Sequence, residues 1–292
     1  MNIAVVGAAG NMGRWFTNYF IRRGHKVRIY DRRRKDAEAF AKEVGAEYTP
    51  TLKRCIYSCE VIFLSIPIEA TPQTLVKIGG IVESSTLLVE ISSLKSPVIS
   101  ALRRLPKHIT PLSLHPLFGP GLTDLKFGRI IVVKVNDLDR EVELAKQLFP
   151  EASLIKCDAE EHDKMIAYSL TLPYFMNLAF GLSLSNLELA KLRQYAGTTL
   201  SVQLDLLEAI IQSSGHLIST LIVENPYSRD VLNKYVKAVK TVNQSVKRKA
   251  RLEEIVNNLE RKLSSDQAYY KAYQNVYRLT EKTADEPDTL KA

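Results

Sequence analysis

The chain opens on VVGAAGNMG (residues 5–13), three glycines spaced GxxGxxG between a short apolar run and an amphipathic stretch. No other feature restricts the fold so strongly. A strand over 2–6 that turns on glycine directly into a helix over 12–23 is the opening of a βαβ unit. Glycine lets the backbone turn tightly and approach a pyrophosphate, whose charge then faces the helix N-terminus. The spacing differs from the commoner GxGxxG, and a glycine motif alone can mark a plain tight turn. Its setting between strand and helix points to a dinucleotide, with Gly7, Ala8, Ala9, Gly10, Asn11, Met12 and Gly13 as candidate contacts.

The pattern after the loop agrees. Apolar runs at 26–30, 61–66, 86–91, 109–114 and 129–134 read as short strands, with amphipathic stretches such as 35–44 between many of them. Alternating strand and helix predicts a doubly wound, mostly parallel sheet. A helix–strand pair near 138–149 and 152–157 closes this first domain, assigned to residues 1–158. From residue 160 to about 282 almost everything has helical spacing, punctuated by Pro173, Gly197, Gly215 and Pro226, and a second, helical domain is assigned to residues 159–292. Leucines at 182, 184, 187, 189 and 192, then Leu204, Leu206, Leu207, Ile210 and Ile211, make faces too apolar for solvent. Either they pack on each other or they bury against a second subunit. The polar tail over 284–292 is expected to fray.

In parallel α/β sheets ligands lie beyond the carboxyl ends of the strands. The second strand ends in Asp31, about 20 residues after the glycine loop, placed to accept from ribose hydroxyls and favouring NAD. Arg32, Arg33 and Arg34 follow directly and suit the 2′-phosphate of NADP, which stays the close alternative. The next strand runs into Ser65, Ile66 and Pro67, expected to border the cofactor. Two further strand ends reach this edge, EISSLK (90–95) and SLHPLFGP (113–120). Pro116 restricts the residue before it, so His115 is expected to sit extended in a stiff, uncharged loop. Oxidation of an alcohol needs a base for the hydroxyl proton, and neutral histidine suits that task. A hydroxyl such as Ser93 can bond the imidazole or the substrate.

Composition limits the alternatives. Net charge is +8, and much of the excess lies in a helical stretch over 234–251 with few aromatics, so a solvated face explains it better than a nucleic-acid platform. Three cysteines form no zinc pattern, and Cys55 and Cys59 lie four apart on an expected helix; no metal is expected. No apolar run reaches the length of a membrane span, and no leader is evident before the first strand. A cytoplasmic protein without membrane or nucleic-acid partners is the simplest reading. Trp15 is expected in the core.

GAAGNMGRWF, EISSLK, LHPLFGP and AEEHDKMIAYSLTLPYFMNLAFGL, in this order and spacing, resemble the prephenate/arogenate dehydrogenase family of tyrosine biosynthesis. The resemblance covers nearly the whole chain; LHPLFGP and the EHD segment are its most specific parts. It implies a Rossmann domain followed by a helical dimerisation domain, hence a homodimer. It implies NAD(P)-dependent oxidative decarboxylation of prephenate to 4-hydroxyphenylpyruvate, or of arogenate directly to tyrosine. His115 matches the family's catalytic histidine and Ser93 the serine beside it; Ser92, Lys95, Tyr174 and Gln203 fall where substrate contacts are expected. His162 and Asp163 match the EHD motif, although acids there also suit any helix start.

Two departures stand out. The family usually has histidine at the position of Tyr174, and many members have a carboxylate-binding arginine near Gln203. Arginine gives a bidentate, charge-assisted contact where glutamine gives a neutral one. Arg193, Lys95 or a residue of a second subunit would then supply the cation. Two other readings remain: a β-hydroxyacid or imine reductase using Lys164, and a non-catalytic dinucleotide- or nucleic-acid-binding relative.

Overall fold

Strand alternation in the first half sends side chains to two faces, and each face acquires its own core. Along Val61–Leu64, Val61 and Phe63 join an aromatic cluster with Phe16, Phe20 and Phe149, while Ile62 and Leu64 join Leu75, Ile78 and Leu88 on the other side. Both layers need helices to cover them, which is the physical content of a doubly wound sheet.

The computed structural model describes residues 1–284, with side chains described through residue 279. Most of the tail expected to fray therefore lies outside the described residues. The sheet comprises β1 (Asn2–Val6), β2 (Lys26–Tyr30), β3 (Glu47–Tyr48), β4 (Val61–Leu64), β5 (Thr86–Glu90), β6 (Ile109–Pro116), β7 (Arg129–Val133) and β8 (Ser153–Cys157). Its order is β3-β2-β1-β4-β5-β6-β7-β8. The pairs from β3 to β6 are parallel, β7 runs antiparallel to β6, and β8 is parallel to β7. This is the Rossmann-type α/β unit read from the sequence. Helices α1 (Asn11–Arg22), α2 (Arg34–Val44), α3 (Leu52–Ile56), α4 (Thr71–Gly79), α5 (Ile99–Arg103) and α6 (Leu138–Leu148) complete it, with α7 (Ala159–Ile166).

Three local expectations change. Cys55 lies in α3, but Cys59 does not: the helix stops at Ile56, and Ser58 takes a positive φ of 52°. All three cysteines are buried free thiols. His115 is in β6 itself, opposite Ile131 of β7, and not in a loop. Pro116 is tolerated because the Leu117 amide points to β7 (2.8 Å to Arg129 O), so the missing N–H at 116 points away from it, where β5 has already ended opposite Ser113.

The chain divides into a compact unit Met1–Ile166 and a second beginning at Ala167, eight residues beyond the boundary at 158/159. Helix α7 stays with the first unit because Asp163 and His162 bond to β5–β6 residues. A π-helical turn, Ala167–Thr171, then leads into α8 (Leu172–Ser183); the turn falls just before Pro173, whose missing N–H interrupts the regular α-helical ladder there. The second unit continues as α9 (Leu189–Gln194), α10 (Thr198–Ile211), α11 (Gly215–Glu224), α12 (Ser228–Ser245), α13 (Lys249–Leu263) and α14 (Tyr269–Ala284). The continuous helix Ala159–Ser183 has 25 residues and is long and apolar enough to cross a membrane, with only 22% of its most apolar window buried. That corrects the expectation that no run reaches this length. The charges cluster at 160–164, and the following stretch to 183 carries none, though Ser, Thr, Tyr and Asn interrupt it.

Candidate active site

The glycine loop leaves β1 with Gly7 at φ +87°, a left-handed conformation that glycine adopts at little cost. A Cβ on Gly7 would lie 2.1 Å from the Ser65 carbonyl oxygen. A Cβ on Gly13 would lie 2.1 Å from the Gly7 oxygen, so Gly13 lets α1 press onto the loop. Gly10 differs: φ −72° and ψ 159° suit any residue, and a Cβ there would meet nothing nearer than 3.4 Å. It lines a cleft of ≈ 820 Å³ at the carboxyl ends of the strands. The three glycines thus divide into turn, open ligand face and helix packing, the division that a pyrophosphate-binding loop requires.

Gly7, Asp31, Arg32, Ser65, Ile66 and Pro67 line the same cleft. Ala8 and Ala9 are buried beneath the loop, Asn11 is exposed and Met12 half-buried on α1; none of them lines it. Asp31 braces the loop: its carboxylate accepts from the Ala9 amide (3.0 Å) and the Arg33 amide (2.9 Å). Sequence reasoning missed Gln73, Thr74 and Lys77 of α4, which also face the cleft. Their i, i+1, i+4 spacing on one helix was the available signal. These residues fit a nicotinamide dinucleotide: an open glycine face at a helix start for the pyrophosphate, and mixed charge at the β2 end for the adenosine ribose.

Farther along the strand ends, β5 and β6 hold a buried polar network. Lys95 is fully buried; its Nζ donates to Glu90 Oε1 (2.8 Å) and the Leu114 carbonyl (2.6 Å). Ser113 Oγ donates to the same Glu90 oxygen (2.5 Å) and the Ser92 amide to the other (2.7 Å). Ser92 Oγ donates to Thr71 Oγ1 at 3.2 Å. Lys95 and Ser92, expected to bind substrate, are instead occupied structural groups. An ammonium without contact with solvent survives only when paired, and here Glu90 pairs it.

His115 is 4% exposed. Its partner is not Ser93, which is half-buried and makes no side-chain hydrogen bond among the described residues. Instead Nδ1 faces His162 Nε2 at 2.9 Å, and His162 Nδ1 faces Asp163 Oδ1 at 2.7 Å. Asp163 also receives the amides of Lys95 and Ser96 (2.8 Å each) and Ser96 Oγ (2.5 Å). Burial pushes the His115 pKa well below its ordinary 6.5, and the neighbouring His162 and Lys95 add to this. His162 is also lowered, by burial against the opposing pull of Asp163. For Asp163 burial raises the pKa, but the bonds from His162, Ser96 and the two amides together outweigh it and bring it below 3.8. Both rings are therefore neutral at neutral pH. His162 and Asp163 belong with His115, a link that neither the EHD match nor their charge pattern supplied.

The loop after β6 is clamped from α1. Trp15 Nε1 donates to the Leu122 carbonyl (2.7 Å), and its ring packs 4.9 Å from Phe118. Trp15 is in the core as expected, and it also ties the glycine-loop helix to the chain leaving His115.

In the second unit, Tyr174 is half-buried, its hydroxyl bonded to Ser213 and its pKa raised by burial. Gln203 Nε2 donates to Asn177 Oδ1 (2.8 Å), and Asn177 Nδ2 to the Pro173 carbonyl (2.9 Å). Arg193 is paired with Glu208, and Lys95 is sealed in the first unit, so both cations suggested to replace an arginine at 203 are already engaged. Lys164 is solvent-exposed on α7.

A Rossmann unit with a glycine-loop cleft, a buried neutral histidine farther along the strand ends and a following helical unit define a dinucleotide-binding protein of the Rossmann class. Residues 16–128 match the family model described as prephenate dehydrogenase, nucleotide-binding domain. A probable arogenate/prephenate dehydrogenase of Methanocaldococcus jannaschii is 21% identical over 86% of this chain and 58% of its own length. The T-protein of Enterobacter agglomerans is 25% identical over 80% of the chain and 59% of its own. The chain thus spans somewhat over half the length of these curated relatives. Prephenate dehydrogenase from A. aeolicus, solved with hydroxyphenyl propionate and NAD+, shares the fold at a TM-score of 0.70 and 17% identity, covering 91% of this chain and 98% of that one. Residues 16–128 are thus similar to the nucleotide-binding domain of prephenate dehydrogenases, and the solved neighbour shows the same fold.

Proposed function

We propose that the chain is a prephenate dehydrogenase, converting prephenate to 4-hydroxyphenylpyruvate and CO2, with arogenate as the alternative substrate. The observation that carries this is His115: buried, neutral, at the carboxyl-terminal edge of the same sheet that carries the dinucleotide cleft, with Nε2 making no hydrogen bond among the described residues. The bound dinucleotide supplies the hydride acceptor. His115 takes the hydroxyl proton as the C–H pair leaves the carbinol carbon. The resulting ring ketone is conjugated to the carbon bearing the carboxylate, so that C–C bond breaks, CO2 departs, and its electron pair makes the ring aromatic. The gain of aromaticity makes the step one-way. Ser93, half-buried and unengaged, is the available hydroxyl partner for the substrate. A residue of a second subunit is the remaining candidate for the carboxylate cation.

NAD is the proposed cofactor, because Asp31 is fixed by two amides where a 2′-phosphate would sit. Arg32, Arg33 and Lys77 on the same cleft favour NADP as the second reading. The exposed apolar residues of the helical unit, Leu182 (75%) and Val223 (78%) among them, support a homodimer. Helix α8 packs on α10 and α12 and buries Asn177, which favours a second copy over lipid as its cover. Three free buried thiols agree with a cytoplasmic location.

The deciding experiment follows reduced-nicotinamide absorbance with prephenate or arogenate and with NAD or NADP, in wild type and His115→Asn. Turnover that falls by about 10²–10⁴ in the variant, the range for a lost general base, supports the reading. Dinucleotide binding without turnover of either substrate refutes it.

A further inference from the structure

The residues behind His115 do more than fill space. We infer that Asp163 and His162 form a hydrogen-bonded relay that fixes the tautomer of His115, presenting Nε2 as the base, and that shares the charge once Nε2 is protonated. This rests on the dehydrogenase reading for its activity test only.

The tautomer follows by counting hydrogens. Four donors converge on the Asp163 carboxylate: the Lys95 amide and His162 Nδ1 on Oδ1, the Ser96 amide and hydroxyl on Oδ2. A carboxylate so surrounded is ionised and accepts only. His162 therefore carries its hydrogen on Nδ1. A neutral imidazole has one N–H, so His162 Nε2 is bare and accepts. The group facing it at 2.9 Å is His115 Nδ1, which must then be the donor. The lone pair of His115 is left on Nε2. Among the described residues the one buried side-chain nitrogen or oxygen without a hydrogen bond is Thr17 Oγ1, so the unbonded Nε2 is an accessible corner of the ring. This is the reverse of the tautomer that predominates for free histidine in water.

The same chain handles the charge. When Nε2 binds the substrate proton, His115 holds two N–H groups. Its Nδ1–H bond can break as an N–H bond forms on His162 Nε2, which leaves His115 neutral and His162 cationic against Asp163. No co-reactant is consumed, and the proton returns by the reverse path. The charged groups facing these rings are few. Lys95 opposes charge on both, Asp163 and Glu90 favour it on His162, and Glu90 is already bonded to Lys95. Among the described residues Asp163 is the one anion hydrogen-bonded to the relay.

His162→Gln separates the two roles. A glutamine carbonyl can accept from His115 and its amide can donate to Asp163, keeping the tautomer, but it cannot take the proton. The tests are ¹⁵N NMR of the imidazoles in the free protein and the pH profile of kcat/KM. The wild type should show Nδ1–H on His115. His162→Gln should keep that tautomer and lower kcat/KM about 10–100-fold, the usual loss for an outer-shell partner, with the acid limb moved to lower pH. A neighbour that only repelled the proton would, on removal, let that limb rise. Asp163→Asn should cost about 10³–10⁴-fold by disturbing the tautomer; if it does not fold, the wild-type spectrum still decides. An Nε2–H tautomer, or a His162→Gln acid limb that is unchanged or raised, overturns the relay. Absence of turnover in wild type refutes the dehydrogenase reading while leaving the NMR result to judge the relay.

Discussion

Replacing the loop glycines one at a time separates what the fold needs from what the ligand needs. At Gly7 the φ of +87° costs alanine roughly 1–2 kcal/mol. Its Cβ would also stand 2.1 Å from a backbone oxygen of Ser65, which cannot swing aside, and overpacking of this kind costs about 1–3 kcal/mol. Gly7→Ala should thus lose ~2–5 kcal/mol, which at roughly 2–4 °C per kcal/mol is a fall in Tm on the order of 4–20 °C. At Gly10 the backbone is already extended and the new Cβ meets nothing within 3.4 Å, so Gly10→Ala should leave stability within about 0.5 kcal/mol. Its methyl group would instead occupy the cleft side of the loop. A cost of about 1–3 kcal/mol there is roughly a 5- to 150-fold loss of dinucleotide affinity. Thermal unfolding reads the first effect. Energy transfer from Trp15, the single tryptophan, to bound reduced dinucleotide reads the second. If Gly10→Ala melts as early as Gly7→Ala, or binds dinucleotide like the wild type, the division of labour in the loop is wrong.

Other outcomes follow from the same geometry. Lys95→Met leaves Glu90 buried without its cation and should cost about 3–5 kcal/mol, with Lys95→Met/Glu90→Gln recovering part of it in denaturant titrations. His115 and His162 have folded pKa values below 6.5, so below that pH the unfolded chain binds protons that the folded one refuses. Stability should therefore fall as pH drops below 6.5, by up to about 1.4 kcal/mol per pH unit for each ring, and His162→Gln should flatten the slope in melts run from pH 7 to 5. Sedimentation should give twice the chain mass for the wild type, and Leu182→Arg with Val223→Arg should shift it toward the single chain; a monomeric wild type would remove the dimer.

What the sequence disclosed and what it hid divide along a physical line. Periodicity and glycine spacing are local, so the strands, the glycine loop and the change to a helical second half could be read directly. Contacts between distant strand ends are not local. Lys95 reads as a free cation in EISSLK, and only the fold shows Glu90 and the Leu114 carbonyl around it. His162 and Asp163 read as a charged helix start until α7 is laid beside β6. The strand β3 is two residues long and leaves no periodic trace. The 3₁₀ and π-helical turns at 68–70 and 167–171 depend on Pro67 and Pro173 acting with their neighbours, and spacing rules do not resolve them. The span-like length of helix 159–183 was hidden because its uncharged stretch is broken by hydroxyls.

The polar network explains why the base stands at a buried strand end and not in an open loop. A general base works best when it is neutral at rest and not too costly to charge. Burial and the Lys95 ammonium secure the first condition by resisting a proton on His115. They would defeat the second if nothing balanced the charge. The Lys95 amide lies 2.8 Å from Asp163 while its ammonium lies 2.8 Å from Glu90, so a single residue ties together the anion that holds His162 and the ion pair that keeps His115 neutral. Apart from the Nε2 corner of His115, each group in that set is buried and hydrogen-bonded, which makes the arrangement stiff. Stiffness at that point also answers why LHPLFGP carries two prolines and no charge. The chain leaving His115 must hold the ring on His162, and Trp15 pins that chain to the same helix that opens the dinucleotide loop.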